Sequence, residues 1–163
     1  MRGRRAALLR AIELIEAESG PMQADLSIHW FNLASVRLQR GEYERAREAL
    51  ERCNAIDEAA LGHDHPNVAQ NLTAIASIHI NLDEPAQARL LLEEALTIFA
   101  KFDLDPVPVS FTEFELAKLL WDEGERERAR ALVSSAEKVF TDAGAAAKPQ
   151  LDGLLEWKKN VSY

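Results

Sequence analysis

The chain has 163 residues, 28% of them charged, and a formal net charge of −8 at neutral pH. That length suits one domain able to bury about two thirds of its unfolded surface, and the acidic balance excludes general affinity for nucleic acid or anionic membranes while mildly favouring basic partners. No apolar run approaches the roughly 20 residues of a membrane span, and the lone Cys53 has no second cysteine with which to form an internal disulfide, which together predict a reducing, cytoplasmic setting.

The first segment reads as a helix from about Gly3 to Glu18, closed by Ser19, Gly20 and Pro21. Its arginines, Arg2, Arg4, Arg5 and Arg10, read as a solvated face and lack the apolar core of a secretion signal. Pro21 is expected to open a second helix to about Arg40, and after Gly41 a third runs from Glu42 to Ala60, with Gly62 as its stop. Beyond Gly62-His63-Asp64-His65, Pro66 starts a helix to about Leu82. Asp83 is expected to cap the next one, which takes Pro85 in its first turn and runs to Lys101. Asp103 to Pro108 holds two prolines and no periodicity, so a loop is expected there. Helices from Val109 to Glu123, Glu125 to Ala143 and Pro149 to Lys159 complete an all-α chain of about eight helices.

These helices repeat. Trp30, Leu33, Ala34 and Leu38 form one apolar stripe and Tyr43, Ala46, Leu50, Cys53 and Ile56 a second, so Trp30 to Ile56 is a helical hairpin that cannot bury its faces alone. The second-helix motif Leu50, Cys53, Ile56 returns as Leu92, Ala95, Ile98 and as Val133, Ala136, Val139, at spacings of 42 and 41 residues. Leu8, Ala11 and Leu14 lie one period upstream. Trp30, Leu33 and Ala34 return as Leu72, Ile75 and Ala76, then as Glu113, Leu116 and Ala117, where Glu113 departs from the pattern. Gly41, Asp83 and Gly124 mark the turns, each followed after five residues by a small Ala46, Ala88 or Ala129 that lets two helices approach closely.

The pattern Trp30, Leu33, Ala34, Gly41, Tyr43, Ala46 and Leu50 resembles tetratricopeptide repeats (TPR). The long period and the linker Leu61-Gly62-His63-Asp64-His65-Pro66 resemble the kinesin-light-chain-like subgroup. Phe114 to Phe140 loosely resembles the last repeats of arrays attached to bacterial serine/threonine kinases, although no kinase motif is present. The resemblance implies a right-handed α-solenoid of antiparallel helix pairs. It divides a single domain into a half repeat or capping helix (1–20), three repeats (21–62, 63–103 and 104–144) and a C-terminal capping helix (145–163). The unpaired first helix implies either a chain cut from a longer protein, which we expect, or an N-terminal cap.

No nucleophile elbow, HExxH, Walker loop or CxxC pair occurs, so no catalytic residue, cofactor or metal is expected. His63, Asp64 and His65 lack the third ligand and supporting shell of a metal site, and Asp64 or His65 is expected to cap the helix at Pro66. His29 and His79 stand alone. Asn71-Leu72-Thr73 and Asn160-Val161-Ser162 match a glycosylation pattern that has no meaning in a cytoplasmic protein.

The resemblance places a concave groove on the first helices of the pairs. Its positions are Ile28, Phe31, Asn32, Ser35 and Gln39 in copy one, and Gln70, Thr73, Ala74, Ser77 and Asn81 in copy two. Copy three contributes Phe111, Phe114, Lys118, Trp121 and Asp122. Amides there suit a peptide backbone and aromatics suit apolar side chains. The implied function is non-catalytic recognition of a protein or peptide in a bacterial signalling or scaffolding protein. The alternative is a structural spacer or homodimerisation element that uses the open edge of the first helix, with Leu8 and Ile12.

Overall fold

The computed structural model describes residues 2–19, 25–161 and 163; within the first helix the side chains of residues 2, 4, 5, 8, 15, 16, 18 and 19 lie outside the description. The described residues form α1 (Arg2–Ser19), α2 (Leu26–Leu38), α3 (Tyr43–Leu61), α4 (Pro66–Asn81), α5 (Pro85–Phe99), α6 (Pro106–Asp122), α7 (Arg126–Ala143), a 3-10 turn (Gly144–Ala147) and α8 (Lys148–Asn160), and no strand. The expected closure at Gly20 and start at Pro21 fall outside the described residues, as do the side chain of Leu8, those of Arg2, Arg4 and Arg5, and Ser162.

The turn between paired helices is built the same way three times. The N–H of Glu42 donates to the carbonyl of Arg37, that of Glu84 to His79 and that of Glu125 to Leu120, each reaching back five residues, as in a Schellman closure. The residue just before takes a left-handed backbone: Gly41 at φ 70°, Asp83 at φ 60° and Gly124 at φ 90°. This explains the glycines, since a Cβ is disfavoured there, and gives Asp83 a role other than the expected cap. The glutamate carbonyls then accept from the N–H groups of Ala46, Ala88 and Ala129, starting the second helix of each pair.

One boundary is corrected. Residues Pro106 to Pro108 are not loop, because α6 begins at Pro106, three residues before the expected start. The Asp105 carboxylate accepts from the N–H of Val107 at 2.9 Å, and both prolines sit in the first turn, where a helix has no use for their missing N–H. The same logic holds at Pro66, where His65 Nδ1 accepts from the N–H of Asn67 at 3.2 Å.

The chain divides into two compact units, Met1–Ile98 and Phe99–Tyr163. In the first, Ala34, Ala46, Ala49, Leu50, Ile75 and Ile78 form one buried cluster, with Trp30, Phe31, Leu38 and Tyr43 packed on its edge. A second cluster joins Ile12 of α1 to Leu26, Leu33 and Ile56. Ile12 is therefore buried, against the expectation that it lines an open edge, while Leu14 of the same helix is 48% exposed. In the second unit Leu116, Ala117, Leu120, Ala129, Val133, Ala136, Phe140 and Leu154 are buried. Lys158 of α8 is joined to Glu137 of α7 at 2.8 Å. Glu113 occupies a position where copy two carries Leu72; it is half-buried and accepts hydrogen bonds from Ser135 and Ser110, while burial pushes its carboxyl upward from the ordinary value.

Asp83 is the one turn residue of the three that takes the left-handed backbone with a Cβ. Replacing it by glycine is expected to leave the fold unchanged and to stabilise it by up to about 1 kcal/mol, whereas Asp83→Val is expected to destabilise. Thermal unfolding of the two variants checks this, and a less stable Asp83→Gly would refute it.

Candidate functional site

In the first unit α2, α3 and α4 enclose a cleft of about 160 Å³, lined by Ser27, Ile28, Phe31, Cys53, Asp57, Asn67, Gln70 and Asn71. Ile28, Phe31 and Gln70 are groove positions expected from the sequence, and the fold brings them together from two successive copies. Ile28 is 56% exposed, an unusual state for isoleucine on a packed helix. Phe31 is half-buried, its ring resting on the edge of the core. Gln70 is exposed on the α4 side.

The other polar positions of this face are tied to their own helices. Ser35 donates to the carbonyl of Phe31 at 3.1 Å, Thr73 to Ala69 at 2.9 Å, Ser77 to Thr73 at 3.1 Å and Asn81 Nδ2 to Ser77 at 2.7 Å. Thr73 is buried, so it offers nothing to a ligand. Asn32 and Ala74 are half-buried, and Gln39 is exposed just beyond α2.

The cleft's floor is polar and was not foreseen. Asn71 Nδ2 donates to Asp57 Oδ2 at 2.8 Å, and the Cys53 thiol lies 3.8 Å from the same oxygen and 3.5 Å from Asn71 Oδ1. All three side chains are buried. Burial, and then the charge and hydrogen bond of Asp57, push the Cys53 thiol up to about 12. Because Asn71 is buried and bonded to Asp57, the glycosylation pattern that begins at it is closed to modification.

In the second unit the copy-three positions are arranged differently. Phe114 and Trp121 are buried, covered by α8 and the end of the chain: Trp157 meets Phe114 edge-on at 5.7 Å and Trp121 at 5.6 Å, and Tyr163 stacks on Trp121 at 5.2 Å. The Arg126 guanidinium lies 4.0 Å from the centre of the Trp121 ring. Phe111 is half-buried and Asp122 exposed. Lys118 is held by Glu115 at 2.7 Å. A wider cleft of about 330 Å³ opens beside Phe111, Lys118, Gln150 and Trp157.

Residues 25–101 match the model of the tetratricopeptide repeat family. Over that stretch, just under half of the chain, it is similar to tetratricopeptide repeats. None of the curated proteins matches it. Among solved structures it is similar to BtubC (BKLC) from P. vanneervenii, at 18% identity and a TM-score of 0.77, over 86% of this chain and 57% of that one. It is also similar to a kinesin light chain candidate of Podosopora anserina with nearly identical TPR-like repeats, at 20% identity and a TM-score of 0.65, over 86% of this chain and 67% of that one. PilF of Pseudomonas aeruginosa matches at 14% identity and a TM-score of 0.54, over 96% of this chain and 74% of that one. The chain thus spans about 57% of the length of BtubC. At these identities the likeness shows the fold, a TPR-type stack of helix pairs.

TPR repeats generally mediate protein–protein interaction and are typically non-catalytic. Among the described residues no group of three potential metal ligands occurs, and no helix is long and apolar enough to cross a membrane. The linker histidine His63 instead bridges two carboxylates, Glu58 and Glu94, each at 3.2 Å, tying the α3–α4 linker to α5. His79 pairs with Glu84 at the α4–α5 turn.

The thiol on the cleft floor gives a chemical check on this geometry. With its ionisation pushed from 9.0 to about 12, the thiolate fraction of Cys53 at pH 8 is about a thousandfold below that of an exposed cysteine. Iodoacetamide is expected to alkylate the native protein at least that much more slowly than the chain unfolded in denaturant, as read by intact-mass spectrometry. Comparable rates in the two states would contradict the buried floor.

Proposed function

We propose that the α2–α4 face binds an extended segment of a partner protein. The observation that carries this reading is the meeting of Ile28 and Phe31 from one copy with Gln70 from the next around an open cleft. An exposed isoleucine beside a half-buried phenylalanine gives an apolar side chain somewhere to rest, and the Gln70 amide can both donate to and accept from a peptide backbone. Stacked repeats present such positions at regular intervals, which suits an extended ligand. Phe114 and Trp121 are left out of the surface because α8 covers them. The long-period repeat and its Leu61 to Pro66 linker support a place in a bacterial-type signalling or scaffolding protein that works in the cytoplasm.

The test uses affinity capture from a lysate of the native cells. The double variant Ile28→Asp, Gln70→Ala is expected to lose at least about tenfold in captured partner while its unfolding midpoint stays close to that of the parent. Leu50→Ala, which empties a buried position, is expected to cost about 2 to 5 kcal/mol. Capture that survives the double variant would refute the groove.

A homodimer through α1 is the second reading, favoured by the exposed Leu14 on that helix. Light scattering over a concentration series decides it: a dimer that Leu14→Glu dissociates is the expected result, and a monomer at the highest concentration would exclude it.

A further inference from the structure

Position 57 breaks the repeat. In copies two and three the residue after the last motif position is a phenylalanine, Phe99 after Ile98 and Phe140 after Val139, and both rings are buried. One period upstream the corresponding residue is Ile15. Copy one places Asp57 there, after Ile56. A short carboxylate thus stands in a space that elsewhere takes a large apolar side chain, and the cleft between α2, α3 and α4 opens at that point.

The carboxylate is only 6% exposed. Its two hydrogen-bond partners, the Asn71 amide and the Cys53 thiol, are neutral, and both lie on Oδ2. Among the described residues no hydrogen bond is donated to Oδ1, and no arginine or lysine forms an ion pair with Asp57. Neutral donors recover only part of the hydration that a carboxylate gives up on burial. Its negative field is already felt by the neighbouring thiol. The carboxylate lines a cavity that opens to the surface beside Ile28 and Phe31.

We propose that this cleft receives a cationic side chain, lysine or arginine, of the segment bound on the α2–α4 face. The inference rests on the peptide-binding reading above and adds the chemistry of one anchor. The aliphatic stem of such a residue lies along Ile28 and Phe31, and its head reaches Asp57 Oδ1. Asn71, Gln70 and Ser27 supply oxygens for the remaining N–H donors, and the Phe31 ring offers a cation–π contact. A neutral apolar residue of equal length leaves Asp57 unpaired, and an acidic one is repelled, so the cleft selects for positive charge. The net charge of −8 steers a basic segment in the same direction.

The experiment titrates the 163-residue chain with Nα-acetyl-lysine methylamide, Nα-acetyl-arginine methylamide and Nα-acetyl-norleucine methylamide, following the Asn71 side-chain amide by 1H–15N NMR. At least one cationic probe is expected to give a saturable shift, with norleucine about tenfold weaker or more. Asp57→Asn, nearly isosteric, is expected to weaken the cation by a similar factor, and Asp57→Phe to abolish binding by filling the cleft. Should Asp57→Phe fail to fold, Asp57→Asn decides. A norleucine response equal to that of the cations, undiminished binding by Asp57→Asn, or no saturable shift would overturn the proposal. If it falls while the Ile28→Asp, Gln70→Ala variant still loses its captured partner, the groove stands and only the charge of its anchor is wrong. If capture is unaffected as well, both readings fall.

Discussion

Small buried residues at the start of each second helix are what the rest of the structure depends on. Ala46, Ala88 and Ala129 have no exposed surface, and a methyl group there permits the close approach that interlocks the apolar stripes of a pair. The turn that brings each alanine into place is equally fixed. A left-handed residue and a hydrogen bond reaching back five residues reverse the chain within a few positions, and a glutamate carbonyl then starts the next helix. A larger side chain at the alanine would push the helices apart and expose the stripes.

Against this regular frame the departures carry information. Two acids occupy positions where other copies place apolar residues, and the fold treats them differently. Glu113 is half-buried, receives two serine hydroxyls, and is drawn toward its neutral form. Asp57 sits deeper, between an amide and a thiol, on the floor of a cleft open to the surface. The first is a polar group accommodated beside the stack. The second places a carboxylate in a cleft lined by Ile28 and Phe31 together with the polar Ser27, Asn67 and Gln70, a combination that a packing function alone does not require.

The groove positions read from the register divide according to what packs on them. Ile28 and Gln70 remain exposed, whereas Thr73 is buried. Phe114 and Trp121 are groove positions expected on α6, yet Trp157 and Tyr163 close over them. Helical register sets the direction in which a side chain leaves the helix axis; it does not say which element lies in that direction. The aromatic composition of α8 was visible in the sequence, but the partners of those rings were not.

The sequence by itself determined the helix pairs, the period of 42 or 41 residues, the turn positions and the buried alanines, because each is a local or periodic property of apolar spacing and backbone preference. It missed the start of α6, since prolines read as loop-formers also fit the first turn of a helix once Asp105 caps it. Only the tertiary structure decided that Phe114 and Trp121 are covered, that Ile12 is buried, and that Cys53, Asp57 and Asn71 share one floor. Asp57 and Asn71 stand 14 residues apart on different helices, and their meeting depends on how α3 lies against α4, which side-chain packing fixes and no local pattern encodes.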